Sequence, residues 1–110
     1  DKLRQATRLN PFYPDWYTWG IGMALYAQGD CVEAANELAQ MTQPNDQSLA
    51  FMAAALAEDG QAKKAADARI KLLALAPHFE VSRCLDALPF CDASITDRLR
   101  ASLVGLGLPD

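Results

Sequence analysis

Two glycine turns, Gly29-Asp30 and Gly60-Gln61, stand 31 residues apart, and each is followed five residues later by an alanine, Ala34 or Ala65. Pro11, Pro44 and Pro77 recur around them at intervals of 33 residues. Regular punctuation marks a unit that recurs, and a unit of this length has room for two helices and a turn. The repeat constrains the fold more than any single motif does. One helix pair cannot bury both of its faces, so each pair has to stack on a neighbour.

Between the turns the apolar residues keep helical spacing. Ile21, Ala24, Leu25 and Gln28 mark one face, and Val32, Ala35, Leu38 and Met41 mark the next. Leu49, Met52, Ala53 and Leu56 are followed by Ala65, Ala68, Leu72 and Leu75. Spacings of three and four predict helices, and no stretch alternates as a strand would. The reading places the end of one helix before Leu9 and further helices over 15–27, 31–42, 46–58, 62–76, 79–87 and 92–105. Asp15, Asn45 or Asp46, and Asp92 or Ser94 are candidate N-caps, and Pro89 stops the helix before it. Gly29 and Gly60 supply the left-handed backbone that ends a helix. Gly22, Ala34, Ala53 and Ala65 are small where paired helices would cross closely.

The pattern W-x2-L-G-x2-Y, then an alanine, an aromatic and a proline, describes the tetratricopeptide repeat, and this chain resembles it twice. In the first copy Thr18 stands at the Trp position, Ile21 and Gly22 match the L-G pair, Leu25 replaces the Tyr, Ala34 matches the alanine, and Leu38 replaces the aromatic. In the second copy Leu49, Met52, Ala53 and Leu56 form the first-helix set, Ala65 matches, Arg69 takes the aromatic place beside Ile70, and Pro77 closes the unit. The resemblance implies an all-α superhelix of antiparallel helix pairs. Residues 1–110 would then be one domain, with 1–11 ending a preceding repeat, 15–44 and 46–77 as repeats, and 78–110 as a C-terminal capping pair. Asp92, Asp97, Arg98 and Arg100 would give the last helix a polar outer face. More narrowly, RLNPFYPDWYTWGIGMALYAQGD, APHFEVSRCLDALPF and LRASLVGLGLPD resemble the C-terminal repeat region of bacterial class III adenylate or guanylate cyclase-like proteins. Similar tails occur in winged-helix regulators. That resemblance implies a docking or sensory appendage of a signalling protein, with any cyclase chemistry in a separate domain.

Composition narrows the function. A chain of 110 residues with 51% hydrophobic content is material for one domain. Its net charge of −4 is opposite in sign to the footprint that nucleic acid or an anionic membrane surface requires. With no apolar run of about eighteen residues, a soluble, cytoplasmic protein is expected. The opening without Met, inside a helix-like segment, and the close at GLGLPD suggest a C-terminal piece of a longer protein. Cys31, Cys84 and Cys91 make an odd count that fits a reducing compartment, and with His78 they lack the paired spacing of a zinc site. No cofactor is expected. No motif offers a catalytic set, so the fragment is read as a non-enzyme. Glu58-Asp59 reads as a solvated turn, Lys63-Lys64 as a solvated face, and Asp67 with Lys71 as an i,i+4 pair worth about a few tenths of a kcal/mol.

One cluster exceeds that plain surface: Phe12, Tyr13, Trp16, Tyr17, Trp19 and Tyr26 fall within fifteen residues. Trp16, Trp19, Met23 and Tyr26, three and four apart, form a stripe of their own on the helix that carries Ile21 and Leu25. In the resembled family that stripe lines the concave groove; its alternative is core. The carboxylate-gripping clamp of that family is replaced here by Met23, Ala50 and Ala54. The leading expectation is a protein-interaction scaffold that binds a protein, a peptide or an adjacent domain of its parent chain. The alternative is a small-molecule-sensing region. A weak homodimer through Leu3, Ala6, Leu9 and part of the aromatic cluster is also expected.

Overall fold

The computed structural model describes residues 15–88 and 93–110. These form six helices: α1 (Asp15–Ala27), α2 (Cys31–Leu38), α3 (Asp46–Glu58), α4 (Ala62–Leu75), α5 (Val81–Asp86) and α6 (Ala93–Gly105). No strand occurs among the described residues. The expected helix before Leu9 and the stop and cap at Pro89 and Asp92 lie outside them.

The repeat is written into the backbone. Gly29 and Gly60 take φ of 85° and 80°, and the amides that follow, of Asp30 and Gln61, donate to Leu25 O and Leu56 O, both at 2.9 Å. This six-to-one bond closes the end of a helix around a left-handed glycine. The same device recurs at Gly107 (φ 89°), where Leu108 N–H donates to Leu103 O. Asp30 then caps α2 through Glu33 N–H, whereas Gln61 makes no side-chain cap for α4. Asn45 caps α3 in a reciprocal box with Ser48, each side chain accepting from the other's amide at 2.8–2.9 Å.

Two expected boundaries move for visible reasons. The second helix ends at Leu38 rather than at residue 42. Pro44 lacks an amide and disfavours helical backbone at Gln43, and the amides of Thr42 and Gln43 donate to the Asp15 carboxylate at 3.0 and 2.8 Å instead. Asp15 is therefore a clasp on the α2–α3 connection as well as the first residue of α1. The fifth helix is also shorter than 79–87: Phe79 is buried just ahead of it. Its first amides, Val81 and Ser82, donate to the carbonyls of Pro109 and Asp110 at 2.9 and 3.2 Å.

The backbone amides on Asp15 hold its carboxyl below the usual carboxylate range. A depressed folded pKa contributes stability that is complete above the ordinary value of 3.8 and fades as pH falls through the folded value. Asp15→Asn should therefore melt below the parent protein at pH 7, and the gap should close on acidification below about pH 4. Parallel melting curves at pH 7 and pH 3 check this; a constant gap would mean that the charge is not what holds the loop.

Helix α3 is the centre of the molecule, packed by α1, α2, α4 and α6. Ser48 through Phe51 and Ala53 through Leu56 are all buried. Its alanines answer to this position, because a helix surrounded on several sides needs short side chains for its neighbours to approach. Around it Thr18, Ile21, Gly22 and Leu25 are buried on α1, Ala34, Ala35 and Leu38 on α2, and Ala65, Ala68 and Leu72 on α4. The outer members of the expected apolar faces turn away: Val32 and Leu75 are exposed, and so is Ile70 at 61%, so Ile70 does not replace the missing aromatic. Arg69 lies instead beside Gly107. Among the described residues no helix is long and apolar enough to cross a membrane.

Candidate interaction surfaces

The aromatic stripe does not stay together. Trp16 is 71% exposed and meets the edge of Tyr17 at 5.7 Å. Trp19 and Met23 are half-buried against the core. Tyr26, expected to line a groove, is 0% exposed and belongs to the core. The cause is Phe51 at the middle of α3, which receives both Trp19 and Tyr26 edge-on, with centroids at 5.0 and 5.3 Å. Ala50 and Ala54, placed by resemblance where a clamp would line that groove, are buried with it. The other residues of the expected dimer face, Leu3 to Phe12, lie outside the described residues.

Over Tyr26 sits a polar cluster that joins three helices. The Tyr26 hydroxyl donates to Glu58 Oε2. Arg98 of α6 donates to Glu58 Oε1 from Nε and Nη2 at 3.2 and 3.0 Å, and to the Tyr26 carbonyl from Nη1 at 3.1 Å. Its guanidinium lies 4.4 Å from the Tyr26 ring centre, and Ser102 Oγ donates to Glu58 Oε2 at 3.3 Å. Burial together with the Glu58 carboxylate pushes the Tyr26 phenol upward, so it remains a donor. Burial opposes the charge on Arg98, but the Glu58 hydrogen bonds together with the charges of Tyr26, Glu58 and Cys31 outweigh it and the pKa rises. Glu58, Asp59 and Gly60 are exposed as expected, but the Glu58 carboxylate is also paired, and Arg98 reaches back to it rather than standing along a polar outer cap. The partners lie 32, 40 and 72 residues apart, so no local pattern could have announced them.

On the other side of α3 a half-open furrow of about 390 Å³ runs between α2 and α4. Leu38, Met41, Leu49, Met52 and Leu56 make its apolar floor, and Lys64, Asp67 and Lys71 stand on its α4 rim. It continues past Pro44 and Leu49 to Ala74 and the exposed Leu75. The sequence did carry this signal. The spacing of Leu49, Met52 and Leu56 marks one apolar face, and the structure divides that face between the core and the furrow.

His78 and Cys84 border a separate cleft of about 350 Å³, and burial pushes the Cys84 thiol up to about 11. Among the described residues no three His, Cys, Asp or Glu side chains gather as a metal set, and Cys91 lies outside them. Comparisons with known protein families, curated proteins and solved structures give no match.

Proposed function

We propose that the chain is a tetratricopeptide-type protein-binding module whose contact surface is the α2–α3–α4 furrow rather than the aromatic stripe. The twin turns at Gly29 and Gly60 and the four buried first-helix positions support the repeat reading. The observation that carries the binding reading is the furrow itself, with an adaptable, methionine-containing floor left partly open beside charged side chains. Its charged groups stand along one rim and its floor is an open apolar row, which favours an elongated protein segment over a compact metabolite enclosed by polar groups. As an appendage of a cyclase-like signalling protein, the module would take its occupant from a neighbouring domain or a partner.

Peptides selected from a random library against the immobilised chain should shift the methyl resonances of Met41 and Met52. Met52→Asp should weaken them at least tenfold with the fold retained. Peptides that shift the Trp16 indole and leave both methyls unmoved would place the surface elsewhere.

A further inference from the structure

The furrow's dimensions and charge define its occupant more narrowly. Leu49, Met52 and Leu56 form one row along α3, spaced three and four apart, which is the complement of an apolar helical stripe. The α4 rim from Lys64 to the helix end is about 16 Å long at 1.5 Å per residue, or three turns. Lys64 and Lys71 stand two turns, about 10 Å, apart on that rim. Both are exposed, and no ion pair engages either one among the described residues. Asp67 stands between them, one turn from each. In a chain of net charge −4 this rim carries two positive charges and one negative.

We infer that the furrow takes a short amphipathic helix of about three turns, with two carboxylates seven residues apart on the flank that faces α4. The carboxylates meet Lys64 and Lys71, and Asp67 selects against a third carboxylate on the turn between them. A basic helix would set its charges against both lysines with only Asp67 in compensation. This inference rests on the furrow being the interaction surface.

The test uses three stapled helical peptides with leucines at i, i+3, i+4 and i+7. Their two flanking positions, seven apart, hold Glu, Gln or Lys. Titrated into the methyl-labelled chain at low salt, the Glu peptide should shift Met52 and bind about tenfold more tightly than the Gln peptide, with the advantage lost at about 1 M salt. In the Lys64→Glu/Lys71→Glu variant, altered only at exposed positions, the order should reverse in favour of the Lys peptide. Equal binding of the Glu and Gln peptides would overturn the acidic preference while leaving the furrow as a binding surface. If none of the three moves Met52, both the inference and the furrow reading fall.

Discussion

Phe51→Ala is expected to lower stability by about 3–5 kcal/mol, a large share of the roughly 5–15 kcal/mol that holds a domain of this size. Phe51 is 1% exposed at the middle of the helix that four others pack against. Its removal deletes a large buried ring and two edge-to-face contacts, and leaves Trp19 and Tyr26 facing a void. The surrounding residues include Ala50, Ala54 and Ala55, whose short side chains cannot swing in to fill it. Urea denaturation measures the loss as a lower midpoint with little change in slope. Trp19 emission, shifted to the red at equal fraction folded, would report the opened cluster. A cost below about 1 kcal/mol would mean that Phe51 is not the centre of the core.

Gly22→Leu is expected to destabilise by about 1–3 kcal/mol or more, the cost of overpacking a close helix crossing. A Cβ on Gly22 would lie 2.4 Å from Leu38 Cδ2 and 2.6 Å from Cγ, well inside contact distance, and Leu38 is itself buried. The crossing of α1 and α2 therefore has to widen, or Leu38 has to leave its place. Gly20, two residues earlier on the same helix, has nothing within 4 Å of its would-be Cβ. Gly20→Ala should stabilise by about 0.5–1 kcal/mol from helix propensity alone. Gly22→Ala receives the same propensity gain and should nonetheless melt lower than the parent. Adding Leu38→Ala to Gly22→Leu should recover part of the loss, measured as a double-mutant coupling. A neutral Gly22→Leu variant would show that α1 and α2 do not meet there.

These two positions also show what could be read before any coordinates. Gly22, Ala34 and Ala65 are legible because a small residue at a fixed offset from a glycine turn has a local geometric cause. Asn45 is legible as a cap for the same reason, and the apolar rows of the first four described helices follow from their period. What escapes is decided by distant partners. Asp15 offered a cap by its position before a helical run, yet its carboxylate serves Thr42 and Gln43. Tyr26 belonged to a regular stripe, but whether that stripe faced solvent depended on Phe51 and on α6 returning from the far end of the chain. Glu58 is exposed as its turn position implies, but its partners Tyr26 and Arg98 are too distant in sequence to be read. The furrow was half legible: its floor residues were assigned to an apolar face, but which of them stay open depends on how α2 and α4 straddle α3.

The Arg98 bridge changes how the molecule should come apart. In a linear stack each unit touches only its neighbours, so the ends fray independently and opening spreads inward. Here a guanidinium on the sixth helix grips a carbonyl in the last turn of the first and the carboxylate that ends the third, which turns the row of helices into a closed circuit. Detaching α6 breaks the Arg98 contacts to both other helices, and detaching α1 exposes the buried Tyr26 ring. Amide exchange in α1, α3 and α6 is accordingly expected to follow one shared opening event, as in a single cooperative unit.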